Sequence, residues 1–312
     1  MATIVCGVDV SSEALDARVG ADGPFERFAS TPEGITALVA FCRKHGVELV
    51  AMEASGGYEK RPFALLWSQG VPAAILNPRA VRRFAEGMGL LEKTDRIDAG
   101  VIAWFAQVKR IVPCEPPSAA QERLKALVGR LRQLTDLRTA QANQRRLVGD
   151  PTVQKLFEEM IALIARQTRS LEAEIARLIA GDPLWQALDQ AFRMIKGVAD
   201  RTVARLMADL PEIGTISNKA AAKLVGLAPI ANDSGKHSGK RSVRGGRTAI
   251  RSTLFVIAEI VRRYDPDLAA FHKRLSEAGK PKRVTRTAVA HKLLVRLNAK
   301  ARDVRKLLAA AA

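Results

Sequence analysis

The sequence predicts an α/β unit at the N-terminus and an all-α remainder. Three observations lead there. The first third alternates short apolar, β-branched runs with longer helix-period segments. The middle holds two long stretches free of interior proline whose apolar residues step by three and four. The last third is helical in period and carries nearly all of the surplus positive charge. A length of 312 residues suits about two domains of ~150 residues each. A hydrophobic fraction of 47% is enough to build real cores. No apolar run approaches the ~18 residues of a membrane span, so no membrane partner is expected. Cys6, Cys42 and Cys114 are an odd set with no CxxC spacing, which argues against a disulfide framework or a thiolate zinc site and fits a reducing cytoplasm.

In the first third, 3–10 (TIVCGVDV) is apolar and β-rich, 14–19 (ALDARV) alternates as a half-buried strand does, and 25–29 supplies a short third strand. Thr31 and Pro32 read as an N-cap and an N1 proline opening a helix to about His45, which Gly46 ends. A buried strand at 47–52, a helix at 58–69, a strand at 71–76, a helix opened by Asn77-Pro78 and a last helix at 95–109 follow. The order β-β-β-α-β-α-β-α predicts a mixed sheet flanked by helices, of the ribonuclease-H type. From Ser118 to Val148, Leu124, Leu127, Leu131 and Leu134 form an apolar stripe that needs a partner. A second long helix, 152–180, carries Leu156, Ile161, Ile164, Leu171, Ile175 and Leu178, and Gly-Asp-Pro breaks follow both helices. The pair reads as an antiparallel coiled-coil hairpin, a spacer or dimerisation arm, against the plainer reading of a bundle within one domain. Residues 184–312 are expected to be helical throughout, with helices at 248–263, 266–278 and 285–303 and a basic linker at 280–283. Met194–Ala199 resembles a helix-hairpin-helix turn, except that Ala199 stands where a second glycine is usual. The expected domains are 1–110, 111–183 and 184–312.

Four acids of the first unit lie where phosphoryl-transfer chemistry needs them. Asp9 ends the first strand and Glu53 ends the 47–52 strand. Asp95 and Asp98 are spaced i, i+3 on one helix face. In a ribonuclease-H sheet those strands are neighbours, so the carboxylates converge and repel unless cations neutralise them. Mg²⁺ takes carboxylate oxygens and keeps waters for a phosphate, and two such ions about 4 Å apart can assist both oxygens of an in-line displacement. The plain alternative is that these acids are solvated strand ends and that Asp95 caps its helix. Gly56-Gly57 is a turn signal with no phosphate-loop pattern around it.

The charge is uneven. Residues 1–110 hold 13 basic and 13 acidic side chains, 111–218 hold 15 and 13, and 219–312 hold 22 and 6. A tail of net charge +16 points to phosphate backbones. Within it, the Gly/Ser-rich loop 231–247 carries Lys236, Lys240, Arg241, Arg244 and Arg247, and Arg251 follows. Its glycines let backbone approach a phosphate, and a serine there can attack phosphorus if a base or metal assists. Composition alone leaves Ser234, Ser238 and Ser242 unranked.

These residues resemble a known family. Gly7-Val8-Asp9-Val10-Ser11, Met52-Glu53-Ala54-Ser55-Gly56 and Lys93-Thr94-Asp95-Arg96-Ile97-Asp98-Ala99 match it in the first third. Gly226-Leu227-Ala228-Pro229, Asp233-Ser234-Gly235 and Gly245-Gly246-Arg247 with Arg251 match it in the last. In order and spacing the chain is similar to the DEDD transposases of the insertion-sequence 110 family, including its 1111 group. That resemblance implies a RuvC-like domain whose Asp9, Glu53, Asp95 and Asp98 hold Mg²⁺, and a C-terminal transposase domain whose Ser234 is the nucleophile. It implies strand exchange between donor and target DNA guided by an element-encoded noncoding bridge RNA. It also implies a dimer or tetramer with active sites shared between subunits, at the nucleoid in a bacterial cytoplasm. Two other readings stand beside it. One is a RuvC-like junction resolvase or nuclease that uses the carboxylates and a water. The other is a nucleic-acid-binding protein with a decayed nuclease fold.

Overall fold

The computed structural model describes residues 3–90, 92, 94–235 and 237–311, the side chains of Asp95, Arg96 and His237 excepted. The chain divides into two compact units, Met1–Pro117 and Ser118–Ala312.

The first unit runs β1 (Val5–Val10), β2 (Ala14–Val19), β3 (Phe25–Ala29), α1 (Pro32–Lys44), β4 (Leu49–Glu53), α2 (Lys60–Ser68), β5 (Ala73–Leu76), α3 (Pro78–Gly87) and α4 (Asp95–Val108). The sheet order is β3-β2-β1-β4-β5. The β1–β2 and β2–β3 pairs are antiparallel, and the β1–β4 and β4–β5 pairs are parallel. Strand alternation sorts the side chains between two cores. Cys6, Val8, Val10, Leu15, Ala17, Val50 and Met52 pack against α1 and α2. Val5, Leu49, Ala51, Ala74 and Leu76 pack against α3 and α4.

Both buried parallel strands begin two residues later than the sequence suggests, for one reason. Gly46 and Gly70 take φ of 63° and 75° after α1 and α2. The amides of Val47 and Val71 then bond back to Cys42 O and Leu66 O, each at 2.9 Å. These valines close a helix C-terminus by a six-to-one bond and tuck into the core instead of entering the ladder.

α4 lies on the sheet so closely that β1 needs a glycine beneath it. A Cβ on Gly7 would sit 2.0 Å from Ala99 O and 2.5 Å from Ala103 N. The helix runs antiparallel to β1. Its far end reaches the start of the strand, where Gln107 Nε2 donates to Thr3 O at 3.4 Å. Its N-terminus therefore stands over the C-terminal end of β1.

The second unit contains α5 (Ala119–Arg145), α6 (Pro151–Ala180), α7 (Pro183–Arg193), α8 (Asp200–Asp209), α9 (Asn218–Val225), α10 (Thr248–Val261), α11 (Pro266–Glu277) and α12 (Lys282–Ala311). α5 and α6 form an antiparallel hairpin, with Asp150 capping α6 through Val153 N. Arg123 pairs with Glu174 near its base, and Arg145 pairs with Glu158 at 2.5 Å near its tip. The base is continuous with the main core: Leu124, Val128, Leu131, Ile175 and Ile179 pack with Trp185, Leu188, Phe192 and Leu206. Towards the tip the apolar stripe is exposed at Leu137, Leu147, Leu156 and Met160.

α12 starts at Lys282, within the segment expected to be a linker. Pro281 lacks the donor that a first helical turn leaves unused, and its carbonyl accepts Val284 N at 2.8 Å, so Lys282 and Arg283 join the helix. Asn298, fully buried in α12, pins the 213–218 turn. Its Oδ1 accepts Gly214 N at 2.8 Å, and its Nδ2 donates to Ile216 O and Asn218 Oδ1 at 3.0 and 2.8 Å. Among the described residues no helix is long and apolar enough to cross a membrane.

Candidate active site

The first unit gathers its acids by register. The parallel pairing of β1 with β4 runs through Val8 opposite Met52, so Asp9 and Glu53 are the next pair along. Both share the face of Gly7 and Ala51, on which α4 lies. Thr94 caps α4, its hydroxyl accepting Ile97 N at 3.3 Å, so the cap is not Asp95. Asp98 sits in the first turn, its amide bonded to Thr94 O at 2.8 Å. Ala99 lies over Gly7, which places Asp98 above the Asp9 end of the strand. Asp9, Glu53 and Asp98 are all half-buried. The backbone of Asp95 opens the same turn, and its side chain lies outside the described residues. Among the described residues no three acid, histidine or cysteine side chains close on one point.

Two further carboxylates belong to this neighbourhood, and sequence reasoning missed both. Asp16 in β2 is the direct partner of Asp9, on the same face, and is buried. The alternation of 14–19 put it on a face taken for solvent, but α4 covers that face. Glu59 clamps the turn after Glu53. One of its oxygens accepts Ser55 N at 3.0 Å and Gly57 N at 2.8 Å. Burial works against its charge, yet these amides and its own hold the carboxyl below the usual range. The Ser55 and Gly57 amides thus face an internal acid, so this glycine-containing turn serves Glu59 and needs no phosphate motif.

The second unit presents the serine loop as two miniature ladders. β6 (Pro229–Ile230) pairs with β9 (Ser242–Val243), and β7 (Asp233–Ser234) pairs with β8 (His237–Ser238). Ser234 is exposed and opens the two-residue turn of the inner hairpin, where Gly235 has φ 54°. The serines differ in their bonding. Ser238 Oγ donates to Asp233 Oδ1 at 3.1 Å, and Arg241 stands 3.9 Å from the other oxygen of that carboxylate.

The cations also divide. Arg247 forks onto Glu212 at 2.5 and 2.6 Å and donates to Asp209 O at 2.9 Å. Arg251 donates to the carbonyls of Gly245 and Gly226. These two anchor the base of the loop. Lys240, Arg241 and Arg244 are exposed, and Lys236 lies outside the described residues. Burial pushes the Glu212 carboxyl up, but the Arg247 fork holds it below the usual range. The base also requires glycines where two backbones cross: a Cβ on Gly246 would meet Gly226 N at 2.4 Å, and one on Gly226 would meet Gly245 O at 2.2 Å.

Two family models match this chain. One, a DEDD-type model described as "Transposase", matches residues 6–148, and one described as "Transposase IS116/IS110/IS902 family" matches residues 189–273. The chain belongs to the insertion-sequence 110 family of transposases. It is therefore a DNA recombinase, an enzyme that acts on DNA. It is also similar to the pilin gene-inverting proteins of Moraxella bovis and Moraxella lacunata, each 25% identical over 313 residues and covering 94% of both chains. The first transposase model contains all four predicted acids, and the second contains the serine loop with its anchors. The second also contains the helix-hairpin-helix-like turn. There Gly197 has φ 97°, and a Cβ on it would lie 3.2 Å from Ile260 and Val261 of α10. Ala199 caps α8 without a side-chain bond, so packing against α10 accounts for this transposase's turn.

Proposed function

We propose that this transposase performs RNA-guided, site-specific strand exchange between a donor and a target DNA through a serine–DNA covalent intermediate. The observation that carries the reading is the register of the acid face. It sets Asp9 beside Glu53, with the first turn of α4 above them. We read the β3-β2-β1-β4-β5 sheet as RuvC-like, of the ribonuclease-H type, with Asp9, Glu53, Asp95 and Asp98 as the metal-holding set. Half-buried carboxylates at the ends of adjacent strands are a donor set suited to a hard divalent cation, and we take it to be Mg²⁺. When bound, the ion would neutralise charge on the phosphate.

The protein's own residues do the rest. Ser234 attacks phosphorus. The Oγ–P bond that forms replaces the P–O bond that breaks, and the displaced strand end leaves as a hydroxyl. The reverse attack by another strand's hydroxyl restores the diester and frees the serine. No nucleotide hydrolysis is needed, because the ester conserves the bond. The Ser234 proton passes to a base, and the loop's own candidates are His237 and Asp233, whose Oδ1 already accepts from Ser238. The exposed Lys240, Arg241 and Arg244, together with Lys236 of the same loop, neutralise the phosphates. Relatives named for inverting a gene support conservative exchange, since inversion rejoins every end it cuts. A bridge RNA encoded by the element pairs with both DNAs. The exposed apolar tip of the α5–α6 hairpin supports a dimer or tetramer, in which the acid unit of one chain serves the serine loop of another. The enzyme works at the nucleoid in the cytoplasm.

The test is denaturing electrophoresis with labelled DNAs, co-purified RNA and Mg²⁺. Wild type gives a protein–DNA adduct, and Ser234→Ala gives none. Cleavage by Ser234→Ala without an adduct would instead mark a RuvC-like nuclease. Lack of any discrete structured RNA in the purified protein would remove the guide.

A further inference from the structure

The second unit holds a cleft of about 590 Å³ walled by α5, α8 and α10. α5 lends it one helix face, Lys125, Gly129, Arg132 and Asp136, at i, i+4, i+7 and i+11. α8 adds Arg201, Arg205 and Asp209, and α10 adds Ala249, Ser252 and Val256. α5 and α8 run antiparallel, since Gln121 Nε2 at the start of α5 donates to Met207 O and Ala208 O near the end of α8. The two acids therefore fall at opposite ends, Asp209 towards Lys125 and Asp136 towards Arg201. The middle is left to Gly129, Arg132 and Arg205.

Two features of that middle point to an anionic occupant. The first is the state of its guanidiniums. Arg201, at one end, is engaged by Glu172 at 2.5 Å. Arg205 is half-buried, and its bond is to a neutral hydroxyl, Thr253 Oγ1, at 3.2 Å. Arg132 is exposed, and neither of these two forms an ion pair among the described residues. A guanidinium bonded to one hydroxyl keeps most of its donors for another acceptor. The second feature is the glycine. Gly129 lies inside a 27-residue helix, where only proline is less favourable. A Cβ there would meet no other element within 4 Å, so packing in this chain does not call for a glycine. Bare backbone on the wall of a cleft lets a ligand come close.

The place of the cleft says which anion. It opens beside the root of the serine loop: α10 begins at Thr248, directly after Arg247, and Arg247 donates to Asp209 O at 2.9 Å. Among the described residues its lining has no aromatic side chain, so it is built for a sugar-phosphate backbone and not for unstacked bases. The enzyme acts on DNA. We propose that this cleft seats the phosphate backbone of duplex DNA, with Arg132 and Arg205 on the phosphates and the Gly129 backbone beneath them. Neither the serine nor the metal assignment enters it.

The experiment titrates the full-length protein against a labelled duplex DNA across a salt series, read by fluorescence anisotropy. A labelled single-stranded RNA is the second probe. The thermal midpoint and the mass in solution are measured on the same variants. Arg132→Gln and Arg205→Gln should each lower the slope of log affinity against log salt by about 0.9 on the duplex. Arg205→Lys should keep the slope, since the charge stays. Gly129→Ala should weaken duplex binding about 10-fold at nearly unchanged slope, the scale of one spoiled charge-assisted bond. Its thermal midpoint should equal wild type's or exceed it, because alanine is the better helix former. Weaker binding by a protein at least as stable is a result that a purely structural glycine does not give. If Arg205→Gln fails to fold, Arg132→Gln and Gly129→Ala carry the comparison. Wild-type duplex affinity and slope in Gly129→Ala and Arg132→Gln would overturn the proposal. So would a lower midpoint in Gly129→Ala, which would return the glycine to packing. Loss of RNA binding with duplex binding intact would give the cleft to RNA, and a fall in mass alongside the fall in affinity would give it to a second copy of the chain. Either result overturns the assignment to DNA.

Discussion

The acid face and the serine loop achieve positional control by opposite means. On the acid face, each functional side chain comes from a strand or helix whose place is set by a buried core and by ladder register. Shifting Asp9 would require moving β1 under α4, which Gly7 allows to lie nearly in backbone contact. In the loop, Ser234 stands on a ladder two residues long, steadied by the side-chain bond from Ser238 to Asp233 and rooted below by Arg247 and Arg251. A metal-holding set tolerates little displacement, so it belongs on rigid elements. On the reading proposed above, the nucleophile stands instead on a lightly held hairpin. The comparison also separates two kinds of cation in the loop, those that carry it and those that face outward.

The largest effects should come from the reacting groups. Asp9→Ala, Glu53→Ala, Asp95→Ala and Asp98→Ala should each lower strand cleavage by at least about 10²-fold while nucleic-acid binding persists. Ser234→Ala should abolish the covalent adduct. Ser238→Ala should keep it at a reduced rate, because it loosens the hairpin without removing the nucleophile. Labelled-DNA cleavage and denaturing gels read both. An adduct that survives Ser234→Ala and vanishes in Ser238→Ala would reverse the assignment of the two serines.

Next come the close approaches. Gly7→Ala and Gly246→Ala each push a Cβ into backbone within 2.5 Å, where nothing short of moving an element relieves it. Each should cost several kcal/mol, at the upper end for single substitutions, on the order of 3–5 kcal/mol. The comparison predicts different consequences. Gly7→Ala should lower the thermal midpoint of the first unit and cleavage together. Gly246→Ala should disturb the loop base, with adduct formation falling more than the global midpoint.

Most of the fold was legible in the sequence, because alternating apolar runs and capped helices state their period locally. Part of the acid face was legible for the same reason: Asp9 and Glu53 lie at strand ends and Asp98 shares a helix face with Asp95, although the cap of that helix is Thr94 and not Asp95. Asp16 and Glu59 were not, for a physical reason. ALDARV reads as a strand with one wet face, and only the arrival of α4, about 80 residues later in the chain, buries that face. Glu59 falls at the start of the segment read as a helix over 58–69, and its role depends on where the Ser55 and Gly57 amides point. The loop gave up its composition but not its internal division, since Arg247 and Arg244 look alike until Glu212, far away in sequence, is placed beside one of them.

That division yields an acid-dependent effect of middling size. The Glu212 carboxyl is held below its usual range: burial pushes it up, and the hydrogen bonds and charge of Arg247 overcome this. A depressed folded value stabilises the protein at neutral pH, where Glu212 is ionised in both states. That stability is lost as pH falls from the ordinary glutamate range through the depressed value. Both side chains are about one-third exposed, at 35% and 36%, so solvent screening limits the pair to about 1 kcal/mol. Glu212→Gln should lower the thermal midpoint at neutral pH and flatten the acid limb of the stability curve. A limb as steep as wild type's would place the acid sensitivity elsewhere.

The smallest effect is the sharpest test of the two classes of cation. Each phosphate contact adds about 0.9 to the slope of log affinity against log salt on duplex DNA. Lys240, Arg241 and Arg244 are exposed, whereas Arg247 and Arg251 are turned onto a carboxylate and carbonyls of their own chain. Replacing Lys240 or Arg244 by Gln should therefore reduce the slope by about 0.9 each and leave the unfolding free energy within ~0.5 kcal/mol of wild type. Replacing Arg247 by Gln should do the reverse, lowering the midpoint and leaving the slope unchanged. Arg241 is the intermediate case, 64% exposed yet 3.9 Å from the Asp233 carboxylate, so its slope change should fall below the full value. Salt titrations of DNA binding on these four variants decide it. If Arg247→Gln lowers the slope as much as Arg244→Gln does, the Glu212 fork opens when nucleic acid binds, and the anchor then belongs among the phosphate contacts.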